Sequence, residues 1–227
     1  MKYTILIICI GLFCSCSLYD ANEDDVIRTL YEKYDKRLLD YNAVSKQNKQ
    51  MVWHEEFDNN DSKWPVDILT NPRYAIIDGC LISSNHSISF LHSHQIPVLL
   101  EQSKNYEIEI NCDASNGQII SLHNPNSVQN GTIPVSQIYL IMLQYIDNKY
   151  SIAFGNGLWE IYSSNQFWLP NQLNTITIRK IEDKFSFFVN SIFFHILDKK
   201  DFKGQAVMIW VNNSSIFDYV RVQYIQD

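Results

Sequence analysis

"NYEIEIN", residues 105–111, sets Tyr106, Ile108 and Ile110 in alternation with Glu107, Glu109 and Asn111. A period of two marks a strand with one face in the core, because successive side chains leave opposite sides of the pleat. The apolar half is expected inside and the acidic half in water. The same alternation returns in "NTITIRKI" (174–181), "KFSFFVN" (184–190) and "DYVRVQY" (218–224). Between the strands lie turn residues: Asp78-Gly79 inside "IIDGCLIS", then Asp147-Asn148, Glu182-Asp183 and Asn190-Ser191. An Asp-Gly pair between two short apolar runs is a strong hairpin signal. Strands separated by such turns, with no helical period between them, predict an all-β fold over residues 51–227. The expected architecture is an antiparallel sandwich of jelly-roll type.

Ahead of this domain the period lengthens. Val26, Leu30, Tyr34 and Leu38 recur every four residues, with Ile27 and Tyr31 beside them. That stripe predicts one amphipathic helix over 22–46, with Asn22 as its cap and Glu23, Asp24 and Asp25 at the positive end of its dipole. Its apolar side is expected to dock on the domain or to meet a partner protein. Residues 16–50 would then be an acidic tether and helix.

The chain carries 18 Lys and Arg against 25 Asp and Glu, a net charge of −7. That balance argues against a phosphate-backbone partner, which needs clustered cations, and so against nucleic acid. Cys80 and Cys112 are the two cysteines within the β domain, and they form either a disulfide or two free buried thiols. His92 and His94 share one strand face at a spacing suited to metal, but no third ligand lies near them in sequence.

Met1-Lys2 opens an apolar run through Phe13 that is too short to span a bilayer, for which about 20 residues are needed. Such a run has the form of a signal peptide, residues 1–15. Its end, Leu12-Phe13-Cys14-Ser15-Cys16, resembles the lipobox of bacterial lipoproteins, in which the cysteine is acylated and becomes the first mature residue. Small Ser15 favours Cys16 over Cys14. The resemblance implies a cell-envelope, outer-membrane lipoprotein held to the membrane by its N-terminal lipid. Asp20, Glu23, Asp24 and Asp25 resemble the acidic tag that sends some lipoproteins to the cell's outer face.

Two motifs bound the β domain: "VWHEEFDNNDSKW" at its start and "FDYVRVQY" at its end. Both resemble the boundary motifs of the concanavalin A-like jelly roll, particularly laminarinase-type glucanases and their non-catalytic relatives. The resemblance implies a structural calcium with Glu56 or Asp58 and Asp218 among its ligands, and an oligo- or polysaccharide partner. In "YEIEINCDAS", Glu107 and Glu109 stand where nucleophile and helper would be, but Asn111 or Cys112 replaces the acid/base. Asp113 lies about 20 Å along the strand from Glu107, too far for a retaining pair at about 5 to 5.5 Å. No catalytic residue is therefore assigned, and a non-catalytic glycan-binding module is expected, with a structural or protein-interaction surface lipoprotein and a divergent β-glucanase-type glycoside hydrolase as the alternatives. Trp159, Tyr162 and Trp168 in "NGLWEIYSSNQFWLPNQ" are the candidate sugar-stacking rings, with core filling as the competing role. Changing Cys16 to Ala is expected to release the protein from the membrane fraction or to leave its precursor unprocessed. Acyl labelling that persists in this variant contradicts the assignment.

Overall fold

In a computed structural model, residues 22–64, 74–83, 92–113, 118–123, 138–146, 149–155, 159–164, 169, 171–198, 204–211 and 215–226 are described. Cys16 and Trp168 lie outside them. The elements in chain order are α1 (Asn22–Lys33), α2 (Lys36–Leu39), β1 (Lys49–Glu55), β2 (Tyr74–Ile77), β3 (Cys80–Ser83), β4 (His92–Leu99) and β5 (Asn105–Asp113). They continue with β6 (Gln118–His123), β7 (Ile138–Ile146), β8 (Lys149–Gly155), β9 (Trp159–Ser164), β10 (Asn174–Ile181), β11 (Lys184–Val189), β12 (Ile192–Asp198), β13 (Ala206–Val211) and β14 (Ile216–Ile225).

The strands form two antiparallel sheets. One is eight-stranded in the order β12-β11-β10-β5-β14-β3-β2, with β1 also paired to β14, and the other is six-stranded in the order β4-β13-β6-β7-β8-β9. Ile108, Ile110, Ile176, Ile178, Val220 and Val222 of the first sheet and Ile96, Ile120, Leu122, Val207 and Ile209 of the second are buried in one core cluster. The alternation in the sequence thus has the expected cause: the apolar half of each pleat is inside. Asp78 and Gly79 both take positive φ in the two-residue β2–β3 turn, as do Asn190 and Ser191 between β11 and β12. These are the left-handed positions such hairpins demand, and Gly79 meets the demand without a Cβ.

The opening motif folds on itself. Buried Glu55 accepts from the Phe57 amide at 3.0 Å and from Trp64 Nε1 at 3.1 Å. Phe57 sits in the left-handed region, and its ring meets Trp64 edge-on at 5.2 Å.

Two expectations are corrected. The segment 22–46 is not one helix: α1 ends at Lys33, α2 is a single turn, and short 3₁₀ turns follow at Tyr41–Ala43 and Lys46–Asn48. The cause is local. Asp35 has extended backbone and its carboxylate accepts the Arg37 amide, while Asp40 does the same for the Asn42 amide. Each aspartate offers the backbone an alternative to continuing the helix. The predicted stripe still docks: Leu38 packs with Val44, Ile181 and Ile225, and Leu39 packs with Phe188 and Phe193. Leu30 and Tyr34 complete that contact.

The second correction is the disulfide. Cys80 and Cys112 are both free thiols. Phe217 of β14 pairs with Cys112 on one side and with Leu81 on the other, so the strands bearing the two cysteines are two steps apart. That separation is about 9 to 10 Å, beyond the roughly 7 Å a disulfide can bridge. Cys112 is core-facing with Leu81, and Cys80, next in sequence to Leu81, belongs to the other face. Burial pushes the Cys112 thiol well above its ordinary range.

Candidate functional site

The outer side of the eight-stranded sheet carries Glu107, Glu109, Asn111, Thr175, Thr177 and Arg179 on two adjacent strands, with Arg179 opposite Glu107 and Thr177 opposite Glu109. The sequence places these polar groups in water, but the structure places them under residues 34–48. Arg179 is 0% exposed and Glu107 1%. The Arg179 guanidinium donates through Nε to Glu107 Oε2 at 2.8 Å. Its Nη1 donates to the carbonyls of Arg37 at 2.6 Å and Asp40 at 3.1 Å, and its Nη2 to that of Tyr41 at 2.9 Å. These carbonyls lie at the end of α2 and just past it, where a short helix leaves acceptors unmatched. The rings of Phe188 and Tyr41 lie against the guanidinium at 4.8 and 5.3 Å. Lys49 Nζ meets the other oxygen of Glu107 at 2.5 Å.

Glu109 is held in the same way from the other side. It accepts from Tyr41 Oη at 2.8 Å and Tyr219 Oη at 2.9 Å, with Arg221 at 3.8 Å. Burial, then the Glu109 charge, pushes both phenols above their ordinary range. Thr177 Oγ1 and Ser186 Oγ are buried without a hydrogen-bond partner. The two carboxylates are therefore parts of a covered joint. With residues 34–48 docked, Glu107 is 1% exposed and Glu109 is buried.

The opening and closing motifs also meet on this side. Arg221 donates to both oxygens of Glu56, at 2.9 and 3.1 Å, and its guanidinium lies 3.9 Å from the Tyr219 ring centre. That charge-assisted pair raises the Arg221 pKa. It also engages the first expected calcium ligand, since both Glu56 oxygens face a cation already. Asp58 is exposed, Asp218 is half-buried, and among the described residues no three acidic, imidazole or thiol groups gather as a metal site. Among the described residues, Glu56, Asp58 and Asp218 are not gathered into a site with the several oxygen ligands calcium takes.

The six-stranded sheet has a different outer side. Ile120 and Ile209 pair with each other and are buried in the core. The next row over, of the opposite parity, runs Gln95, Met208, Ser121, Leu140, Gly155, Trp159 across all six strands. Two residues further on lies the row Ser93, Trp210, Ile119, Met142, Ala153, Ile161. Gln95 is exposed, Met208 half-buried and Ser121 buried. Among the described strand residues from β13 to β9, the rows of this parity contain no Asp, Glu or Arg, and Lys149 beside the β7–β8 turn is their one lysine. Tyr162, expected to join Trp159, pairs with Ile152 in a row of the other parity, the parity of Ile120 and Ile209. Trp210, in a row of the same parity as Trp159, is a residue that strand alternation alone did not single out.

No known protein-family model and no curated protein sequence matches the chain. Solved structures do match in fold. The catalytic domain of an endo-1,3-β-glucanase (laminarinase) from Thermotoga petrophila RKU-1 superposes with a TM-score of 0.53 at 14% identity, over 79% of this chain and 99% of that one. The CBM2 module of the evolved Dit of Lactobacillus casei BL23 phage J-1 gives 0.52 at 12% identity, over 79% and 97%. The GlcNAcα1-4Gal-releasing endo-β-galactosidase from Clostridium perfringens gives 0.54 at 12%, over 79% and 64%. The chain has the concanavalin A-like jelly-roll fold that its boundary motifs led us to expect.

The joint yields a stability prediction. Arg179→Met strips Glu107 of its forked partner and leaves three carbonyls unmatched, a loss of about 3 to 5 kcal/mol. Arg179→Lys should recover little, because one ammonium cannot reproduce the planar fork. Urea unfolding of the three proteins measures this, and an unchanged midpoint in Arg179→Met would show that the pair is not buried.

Proposed function

We propose that this protein is a non-catalytic, lipid-anchored module of the cell envelope that binds neutral glycan on the outer side of its six-stranded sheet. The observation that carries the reading is the contrast between the two outer sides. One is closed by residues 34–48 over its carboxylates. On the other, the described strand residues of the outer parity from β13 to β9 include no carboxylate and no guanidinium, and Trp159 stands in one of their rows. Neutral sugars suit such a surface: an aromatic face takes the apolar side of a pyranose, while hydroxyl and amide groups meet its hydroxyls. The fold likeness to a laminarinase, an endo-β-galactosidase and a CBM2 module supports a carbohydrate ligand.

A glycosidase reading would need two carboxyls within reach of one glycosidic bond. Glu107 and Glu109, the acids nearest the glucanase pattern, are tied to Arg179, Lys49, Tyr41 and Tyr219 instead. A protein-partner role for the N-terminal helix loses much of its apolar stripe to the internal contact of Leu30, Tyr34, Leu38 and Leu39. The anchor and the outer-membrane location are proposed on the likeness of Cys16 and its surroundings to a lipobox. No calcium is part of this reading.

Affinity electrophoresis of the mature protein in gels containing laminarin, other β-glucans or β-galactans is the direct test. At least one neutral polysaccharide should retard it, Trp159→Ala should reduce the retardation, and no reducing sugar should be released. Hydrolysis of any of these polymers contradicts the non-catalytic reading, and retardation by none of them contradicts the ligand class.

A further inference from the structure

The first strand of the sandwich is weakly held. Among the described strands β1 pairs with β14 alone, its register shifts between Met51 and Trp53, and Gln50, Met51 and His54 are exposed. Its first residue, Lys49, stands opposite Ile225 near the end of β14. A pull from the N-terminal side would therefore enter this ladder at one end and break its pairs in succession. Such a pull meets residues 34–48 first. Leu38 lies in a buried cluster with Ile181 and Ile225, and Leu39 in another with Phe188 and Phe193, so the segment is seated on β10, β11, β12 and β14. The carbonyls of Arg37, Asp40 and Tyr41 accept from one guanidinium, that of Arg179, on a strand paired on both sides. Tyr41 Oη donates to Glu109 and Lys49 Nζ to Glu107, both on β5.

From this arrangement we infer that residues 34–48 are a load-bearing latch: tension reaching the domain from its N-terminal anchor is carried by Arg179 and the strands beneath it, and β1 stays unloaded until the latch fails. This rests on the anchor reading for the source of the tension, and adds a mechanical role to the joint. Forced unfolding is governed by the rate of opening, so the cost of the first step decides the outcome. In the latch that first step is expensive, because three carbonyls must leave the guanidinium together. Glu107 keeps Arg179 on the sheet, so the cation cannot follow the departing segment. What is left behind is a charged pair that has lost most of its acceptors. In β1 alone the first step would be a single pair at the end of a strand.

Optical-tweezers pulling on the mature, unacylated protein tests this, with one handle on Cys16 and the other on Asp183→Cys, at the exposed β10–β11 turn, in a Cys80→Ser background. Load between these points crosses from residues 34–48 to β10. In the otherwise unaltered protein, residues 34–48 should stay docked until the sandwich itself gives way. Arg179→Met should add an early, low-force step that lengthens the chain by about 50 Å, the extended length of residues 34–48. At equal load that step should be at least about tenfold faster than any opening before the substitution. Tyr41→Phe, which keeps the ring and the Tyr41 carbonyl, should weaken the latch less. The unsubstituted trace stands whatever Arg179→Met does to folding. If that trace itself shows an early step of about 50 Å with the sandwich still folded, residues 34–48 carry no load and the latch is overturned. A folded Arg179→Met that opens at the unsubstituted force removes Arg179 from it. These traces report on the latch alone, and fractionation of Cys16→Ala reports on the anchor alone, so the failure of either is told apart from the failure of the other.

Discussion

A guanidinium shut away from water must find an opposite charge and acceptors for its N–H groups, or its burial costs several kcal/mol. Arg179 meets that condition with Glu107 and with the carbonyls of Arg37, Asp40 and Tyr41. The partners come from two places far apart in the chain: the central strand β5 and the segment just ahead of β1. Neither alone satisfies the cation. The joint therefore ties residues 34–48 to the sheet by electrostatics, while Leu38 and Leu39 tie them by apolar burial. The C-terminus is held at the same place, since Ile225 packs with Leu38 and the Gln226 amide donates to the Asn48 carbonyl at 2.8 Å. The N-terminal segment is part of the folded unit, and a domain cut at residue 50 would expose the joint.

Closing one outer side shapes what the sandwich can do. The acids that most resemble glucanase chemistry are spent on structure, and the Arg221–Glu56 pair sets a guanidinium against a carboxylate expected to ligate calcium. In the reading proposed above the ligand meets the other sheet, where the described strand residues of the outer parity from β13 to β9 include Trp159 and Trp210 and no Asp, Glu or Arg. Among the described residues, the ion pairs of Glu107, Glu109 and Glu56 with Arg179, Lys49 and Arg221 lie on the outer side of the eight-stranded sheet.

Much of the fold was legible because its physics is local. Alternation in 105–111, 174–181 and 218–224 reports the pleat, and Asp78-Gly79 reports a turn that needs positive φ. The failures share a cause, which is that a one-dimensional pattern cannot see what covers a face. Glu107 and Glu109 look like a solvent face until Arg179 is placed opposite Glu107 in register and the apolar stripe of 30–39 is seen to need a surface. Asp35 and Asp40 interrupt a helix whose hydrophobic period runs straight through them. Cys80 and Cys112 invite pairing by number, and only the order β3-β14-β5 keeps them apart. Trp210 lay inside an ordinary apolar strand, "VMIWV". Its relation to Trp159 exists only through the register of four intervening pairings.

Hydrogen–deuterium exchange on the mature protein, with and without an oligosaccharide of the retained polysaccharide, tests the division of labour between the two sides most directly. The account predicts slow exchange in residues 38–48 and β10 in both states, with new protection on ligand binding confined to the six-stranded sheet. Rapid exchange across residues 38–48, or ligand protection that appears at β5 and β10 instead, would contradict it.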